Sequence, residues 1–364
     1  MPFSHSRISH DHLWSRYRAS ARLCFPTGRF CVTGAFRDVW LSGSKRWLTA
    51  FLLAILVQAV LVQGLLGQDL IVAKVPAIAW LGVIGGSFLF GIGIVLAGGC
   101  ATGTYYRSGE GLIGSWIALA FYALLASFMK YGALQPVTTA ALADKTELTT
   151  IHDSLGISAW LLVLVLAGVV GWLVWTQRVA RQVVARPAAR RSGLAHLLLE
   201  RPWSPYASAI LVGVIAAAAY PLSNATGRNS GLGITTPSAN IVNFLATGDA
   251  SRIDWGVLFV LGLIPGSYIA AKLAGEFRLR APDAPTAIRA IAGGSLMGVG
   301  AAIAGGCTIG NALVQTALFS YQGWTAFLFT FFGVGFAARF FVQTHRRAGA
   351  QAVPVASSDL VHAN

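Results

Sequence analysis

The sequence predicts an all-α polytopic membrane protein, an inverted-repeat helical bundle with short broken helices at two Gly-Gly-Cys motifs. Three observations support this fold class. The chain of 364 residues is 55% hydrophobic and only 11% charged, whereas soluble domains contain about 25% charged residues. Several apolar runs approach the ~20 residues that a helix needs to cross a bilayer. One of these runs, together with the motif that ends it, occurs twice.

The repeated run covers residues 89–103 and 296–310, and eight of its fifteen positions are identical, five of them glycine. Each copy ends in Gly-Gly-Cys-x-x-Gly, with Cys100 in the first and Cys307 in the second. A shared apolar period alone would not place these residues at one offset, so the pattern indicates an internal repeat of one structural unit. Glycine lets the backbone leave a helix, and within a membrane such a break is tolerated only where it lines a cavity or is buried in protein.

The apolar runs predict eight membrane spans. In chain order, their approximate limits are 47–66, 78–97, 112–129, 157–176, 206–222, 255–274, 290–304 and 324–342. The second and the seventh spans end at the two Gly-Gly-Cys motifs. The spans divide the chain into a non-membrane leader (1–26), a first repeat with a connecting span (27–176), a basic linker (177–205), a second, inverted repeat (206–344) and a tail (345–364).

The leader differs from its counterpart in the second half. Thr-Gly-Arg occurs at 27–29 and again at 226–228, and the span at 206–222 precedes the second copy, whereas polar and basic residues precede the first. Either the halves are unequal, or the start of the sequence replaces a first helix with out-of-frame or upstream residues. We expect residues 1–23 to contribute no membrane helix, and a longer or re-framed start to supply one.

The distribution of Lys and Arg predicts the orientation, because basic residues concentrate in cytoplasmic loops. With the linker in the cytoplasm and the spans alternating, the cytoplasmic segments hold seventeen basic residues and the opposite side holds five; the remaining five lie in the leader region. Both termini are then cytoplasmic. In this topology the two Gly-Gly-Cys spans run in opposite directions, as in transporters whose inverted repeats form a site near the bilayer midplane.

Several function classes are poorly supported. The net charge of +14 is assigned to loops beside membrane spans, where it fixes topology, so we expect the lipid bilayer and no nucleic acid as a partner. All seven histidines lie in loops or tails, which argues against an intramembrane metal cluster. The sequence contains no phosphate-binding loop or dinucleotide fingerprint, so we expect no cofactor and no built-in ATPase.

The cysteines are the candidate site residues. Cys100 and Cys307 hold the same position between glycines at the two breaks, which favours a role on a substrate path over the usual role of a free cysteine as a small buried hydrophobe. For Cys31 and Cys24, which lack such a repeated position, the residues alone favour the usual role.

The chain that follows each break is suited to an anion, because a helix N-terminus carries unpaired N–H groups and a partial positive charge. Thr102, Thr308, Asn311 and Gln315 could donate further hydrogen bonds. Ordinary polar capping and helix–helix hydrogen bonding are equally good interpretations of these four side chains.

Residues 28–38, the Gly-Gly-Cys-Ala-Thr-Gly run with Gly109-Glu110-Gly111 after it, and the second Gly-Gly-Cys together resemble the YeeE/YedE family of bacterial inner-membrane proteins. The characterised function of that family is thiosulfate uptake, and it also includes relatives linked to selenium metabolism or of unknown substrate. The resemblance covers about residues 27–342. It implies inverted halves, short helices that dip to the centre, and three central cysteines that pass thiosulfate along, by position Cys31, Cys100 and Cys307. The leader departs from the family, whose members have a membrane helix there.

We therefore predict an inner-membrane permease, and not an enzyme, for thiosulfate or a related small sulfur-containing anion. The predicted path consists of Cys31, Cys100, Cys307, Gly99, Thr102, Gly306, Thr308, Asn311 and Arg29. Two alternatives remain open. One is a membrane sulfurtransferase that forms a cysteine persulfide, and the other is a non-transporting membrane subunit that docks a cytoplasmic sulfur-carrier protein.

Overall fold

The computed structural model of the protein describes residues 31–178, 203–224 and 229–343. Within these ranges the chain is helical, with three isolated β-bridges and no strand. The helices are α1 Val32–Ser42, α2 Arg46–Leu66, α3 Trp80–Leu96, α4 Ala101–Gly109, α5 Ile113–Tyr131, α6 Gln135–Ala141, α7 Ile151–Leu155, α8 Ala159–Arg178, α9 Pro205–Asn224, α10 Thr235–Thr247, α11 Trp255–Ala274, α12 Ala284–Ile303 and α13 Tyr321–Ala337. Two π-helical segments, Gly310–Gln315 and Ala338–Gln343, flank α13.

In the described ranges, eight helical stretches are long and apolar enough to cross a membrane, which confirms the prediction of an all-α polytopic membrane protein. Most predicted limits agree with the observed helices to within a few residues. The seventh predicted span, 290–304, starts too late, because α12 begins at Ala284 with Asp283 as its N-cap and a proline in its first turn. Proline suits the first turn of a helix, where its missing N–H costs nothing, and the polar first turns concealed this start.

Two short helices, α1 and α10, were not predicted from the apolar pattern because they are too short and too polar to cross a bilayer. Each is the first of five elements that follow in the same order in both halves. A short helix precedes a span, a second span that ends in Gly-Gly-Cys, a short helical segment and a last span. Both short helices end at a left-handed glycine, Gly43 and Gly248. Inversion of one complete half relative to the other stays a prediction.

Helices α3 and α12 form the centre of the bundle and pack antiparallel. A Cβ added to Gly82 near the start of α3 would lie 3.0 Å from the carbonyl oxygen of Ile303 at the end of α12. At the other end of the pair, a Cβ on Gly293 would lie 2.3 Å from the backbone nitrogen of Ala97. Glycines on both surfaces therefore let the two backbones approach closely, as small residues do in membrane helix pairs. Helix α13 packs on α3, and α5 packs on α12.

Helices α8 and α11 lie at the periphery, where only 17% of each span is buried. The exposed side chains of α8 include Trp160, Trp172 and Trp175, which suits a surface that faces lipid and its interface. Helix α8 extends through residue 178, two residues into the predicted linker. Residues 179–202 of that linker, the predicted leader, the predicted tail and both Thr-Gly-Arg segments lie outside the described residues.

Candidate functional site

Each of the three described cysteines stands where the chain enters a helical segment. The carbonyl oxygens of Cys31, Cys100 and Cys307 each accept a hydrogen bond from the backbone N–H four residues later, at 3.0, 2.8 and 2.8 Å. Cys31 is the N-cap of α1 and Cys100 the N-cap of α4, both with extended backbone. The new helical segments predicted after the two Gly-Gly-Cys breaks are therefore present, and α1 adds a third.

The two Gly-Gly turns have the same local geometry. Gly98 and Gly305, the first glycine of each pair, are left-handed, with φ of 73° and 74°. Their N–H groups donate to the carbonyl oxygens of Val95 and Ala302, both at 3.2 Å. The left-handed conformation, which favours glycine, therefore belongs to these residues and not to the predicted site glycines that follow them.

The predicted site glycines Gly99 and Gly306 provide space beside the turns. A Cβ on Gly306 would lie 2.9 Å from the Asn311 side-chain oxygen, whereas the nearest atom to a Cβ on Gly99 is a guanidinium nitrogen of Arg107 at 3.5 Å. The second turn is thus more closely packed than the first.

Asn311 stabilises the second Gly-Gly turn through hydrogen bonds. Its Nδ2 donates to the carbonyl oxygens of Ala304, at 2.9 Å, and Gly306, at 3.1 Å, and its Oδ1 accepts from Gln322 Nε2 at 3.0 Å. At the first Gly-Gly turn Arg107 has the corresponding role. Its guanidinium donates to the carbonyl oxygen of Gly98. Arg107 was not among the predicted site residues, since nothing in the repeat pairs it with a counterpart in the second half.

The structure brings the three thiols together. A Cβ on Gly103 would lie 3.6 Å from Cys100 Sγ and 3.9 Å from Cys31 Sγ, so these two thiols border the same space. Cys307 lies close enough to interact electrostatically with Cys100. Cys100 and Cys307 are buried, and Cys31 is partly buried. Cys31, for which the residues alone favoured an ordinary role, therefore lies with the other two.

Aromatic packing holds α1 and thus places Cys31. The Phe36 ring lies with its centroid 5.9 Å from that of Phe51, 5.1 Å from Phe327 and 5.6 Å from Phe331, in edge-to-face contacts. Trp40 Nε1 donates to the carbonyl oxygen of Phe331 at 3.2 Å. These contacts connect α1 to α2 and α13, and edge-to-face pairs stabilise beyond the area they bury.

Helix α10, which corresponds to α1 in the second half, is held by hydrogen bonds from α4 and α5. The four pairs are Tyr105 with Ser238 at 2.8 Å, Tyr122 with Thr235 at 2.9 Å, Lys130 with Thr236 at 2.6 Å and Tyr131 with Asn240 at 2.7 Å. Tyr122 also lies within electrostatic range of Cys307 and Cys100. Tyr122 is fully buried and Tyr105 nearly so, so these phenols border the thiol cluster. The signal that could have indicated them is a tyrosine inside an apolar span, since a buried phenol needs a hydrogen-bond partner.

The hydroxyls of the predicted site residues Thr102 and Thr308 are buried, and neither has a hydrogen-bond partner among the described residues. They differ in this from Asn311, whose side chain is engaged in the turn. Arg29, the remaining predicted site residue, lies outside the described ranges. In those ranges no group of three or more His, Cys, Asp or Glu side chains is placed to hold a metal ion.

Two cavities flank the α3–α12 pair at opposite ends. One, of about 660 Å³, is lined by residues that include Lys130, Lys145 and Gly305 beside the second turn. The other, of about 380 Å³, is lined by residues that include Arg107 and Gly98 beside the first turn, together with Arg280 and Arg289. Basic side chains in a concave surface raise the local concentration of anions. The two cavities therefore suit the approach of an anion to either Gly-Gly turn.

A comparison with known protein families supports a role in anion transport. The family described as sulphur transport matches residues 27–336. The chain belongs to this sulphur transport family. Membership confirms the YeeE/YedE resemblance and the prediction of a transporter rather than an enzyme.

Three relatives of this sulphur transport protein are informative. The thiosulfate transporter TsuA of Escherichia coli (strain K12) is 47% identical over 323 residues, which cover 88% of this chain and 92% of that protein. TsuA of Spirochaeta thermophila is 32% identical over 321 residues, 84% of this chain and 91% of the relative. The probable transporter YedE of Salmonella typhimurium is 41% identical over 97 residues, 26% of this chain and 23% of that protein.

Proposed function

We propose that this sulphur transport protein carries thiosulfate across the bacterial inner membrane into the cell. The observation that carries the proposal is that three thiols lie within interaction range of one another, and that a cavity with basic side chains lies beside each Gly-Gly turn. Two relatives named as thiosulfate transporters align over nine tenths of their length, and this supports thiosulfate as the anion.

The chemistry of the cluster fits this substrate. Thiosulfate has a soft terminal sulfur and three harder oxygens, and carries two negative charges. A neutral thiol donates a weak S–H hydrogen bond, so a series of thiols binds the terminal sulfur without holding it tightly. Conduction needs binding that is favourable enough for entry and weak enough for release. We therefore assign Cys31, Cys100 and Cys307 as successive contacts of the anion.

The other predicted path residues have different roles in this proposal. Thr102 and Thr308 donate hydrogen bonds to the anion, because their hydroxyls are buried without a partner among the described residues. Gly99 and Gly306 leave room beside the two turns. Asn311 positions Cys307 through the turn carbonyls that it binds. Arg29 precedes Cys31 by two residues, and its place on the path stays a prediction.

The proposal is tested by uptake of thiosulfate labelled on both sulfurs, in bacterial cells that lack their own route. A permease delivers the intact, doubly labelled anion, and the rate saturates with concentration. If the two labels separate during passage and a cysteine persulfide is found by mass spectrometry, the sulfurtransferase alternative is correct. If the protein transports nothing until a cytoplasmic sulfur-carrier protein is supplied, it is a docking subunit and not a permease.

The orientation is a second part of the proposal. With both termini in the cytoplasm, Lys130 and Lys145 line the outer cavity, and Arg107, Arg280 and Arg289 line the inner cavity. The support is the excess of basic residues on one side, seventeen against five.

We expect a cysteine introduced at Arg190, in a background without the native cysteines, to react with a membrane-impermeant maleimide only after the cells are permeabilised. The reason is that Arg190 lies in the basic linker, and positive segments stay in the cytoplasm. A cysteine at Lys145 is the matched control and should react in intact cells. Reaction at position 190 in intact cells would reverse the orientation and the assignment of the two cavities.

A further inference from the structure

Three threonine hydroxyls accompany the three thiols. Thr33 follows Cys31 by two residues, Thr102 follows Cys100 by two, and Thr308 follows Cys307 directly. Thr33 is 3% exposed and Thr308 is 1% exposed, and the hydroxyl oxygen of Thr102 is buried too. In the part of the chain that the structure describes, none of the three hydroxyls has a hydrogen-bond partner. Thr33 was not among the predicted site residues.

This lack of partners sets the three hydroxyls apart from other threonines of the bundle. Thr104, Thr49 and Thr316 are also buried, and their hydroxyls donate to backbone carbonyl oxygens three or four residues earlier, at 2.6, 3.0 and 2.9 Å. A buried hydroxyl without a partner is costly, and nearly all buried polar groups in native proteins are paired. Three such hydroxyls beside three thiols therefore indicate a ligand that pairs with them when it is present.

The positions of Thr33 and Cys31 suit one ligand that both can reach. Thr33 lies in the first turn of α1, an eleven-residue helix with Cys31 as its N-cap, so its hydroxyl and the Cys31 thiol belong to the same helix start. The Cys100 thiol, at the start of α4, borders the same space beside Gly103 as the Cys31 thiol, and Thr102 lies in the first turn of α4. A soft donor and a hard donor thus occur together at the start of each of these two helices.

Thiosulfate has the matching pair of acceptors. Its terminal sulfur is soft and its sulfonate oxygens are hard, so a thiol suits one end and a hydroxyl suits the other, because O–H···O hydrogen bonds are shorter and stronger than bonds from S–H. We propose that each thiol acts with its neighbouring threonine hydroxyl as a two-point recognition unit. Thr33 is then a specificity-determining residue, whose hydroxyl binds a sulfonate oxygen while Cys31 contacts the terminal sulfur. This inference rests on the proposed function and deepens it.

The test compares Thr33→Val, which replaces the hydroxyl by a methyl group of similar size, with Thr33→Ser, which retains the hydroxyl. For Thr33→Val we expect KM for thiosulfate uptake to rise about tenfold, from the loss of one hydrogen bond to a charged group. For Thr33→Ser we expect KM within about twofold of the wild type, since the donor is retained. Thr104→Val, a buried change in α4 whose hydroxyl already has a backbone partner, is the matched control and should leave KM near the wild-type value.

Thermal unfolding of the purified proteins separates recognition from a structural role. Removing a buried hydroxyl that has no partner among the described residues should leave the melting temperature of Thr33→Val unchanged or raise it, while KM rises. A wild-type KM for Thr33→Val would overturn the inference, and so would a melting temperature lowered in Thr33→Val but not in Thr33→Ser, because the hydroxyl would then serve the fold. A wild-type protein that carries no thiosulfate would instead overturn the proposed function on which the inference rests.

Discussion

Replacing both Cys100 and Cys307 by alanine is expected to reduce thiosulfate uptake to the background of cells without the protein. Each cysteine follows the Gly-Gly turn at the end of one of two antiparallel helices, and the two thiols lie within electrostatic range of each other. If the anion passes from one thiol to the next, removing two of three contacts leaves a stretch of path with no donor for the terminal sulfur. Truncating a buried thiol should cost only ~1 kcal/mol of stability, the usual range for a point mutant.

The measurement is the initial rate of labelled thiosulfate uptake, normalised to the amount of monodisperse protein recovered in detergent. Cys24→Ala is the matched control, because Cys24 lies in the predicted leader, and it should transport at the wild-type rate. Each single alanine variant should also lose uptake. Serine at either position should restore it partly or not at all, since its hydroxyl is smaller and harder than a thiol. Near-wild-type uptake by the folded double variant would remove the thiols from the mechanism.

The second large effect is expected at Gly293, where alanine should prevent the central helices from packing. A Cβ at this position would lie 2.3 Å from the Ala97 backbone nitrogen and 2.8 Å from the Gly93 carbonyl oxygen. Both contacts are to backbone, which cannot rotate away, so α3 and α12 have to separate. Overpacking a tight interface typically costs ~1–3 kcal/mol and occasionally more, and here it acts on the pair that separates the two cavities.

We expect Gly293→Ala to lower the melting temperature of the purified protein strongly, or to prevent recovery of folded protein. Gly171→Ala is the matched control, since it adds the same methyl group to a helix of the same fold where no atom lies within 4 Å. That variant should be neutral or slightly stabilised, because alanine is the better helix former. Equal melting temperatures for the two variants would show that the central pair has room that the structure does not indicate.

The spans could be predicted from sequence because hydropathy acts on each helix separately. All eight were found from apolar runs alone, and the two breaks from glycine and its repeated neighbours. The start of α12 was predicted too late because its first turns contain Arg289 and Thr286 and point toward a cavity, so the local pattern did not show a helix. The short helices α1 and α10 could not be found in this way, since tertiary contacts stabilise them and not their own apolarity.

The candidate site was only partly predictable for a similar reason. Cys100 and Cys307 are marked by the repeat, which is visible within one sequence. Cys31, Thr33 and Arg107 have no repeated counterpart, and their importance depends on which helix ends meet. Asn311 shows the converse, because its type and position predicted a path residue, while its contacts are with the turn. A side chain's partners depend on the third dimension, and the residue type alone does not specify them.

Each half contains two short helical segments in the same order, α1 and α4 in the first half and α10 and Gly310–Gln315 in the second. Three of these four segments follow a cysteine. Helix α10, the fourth, is held by phenol and ammonium groups instead. On the proposed path an anion would therefore meet a different sequence of binding energies from each face of the membrane, so entry and exit rates need not be equal. A difference between entry and exit rates sets the speed of transport, but it cannot by itself drive accumulation of the anion in the cell. Bringing two negative charges into a cell whose interior is 100 mV negative requires about 4.6 kcal/mol, and that work has to come from a gradient or from chemical consumption of the anion.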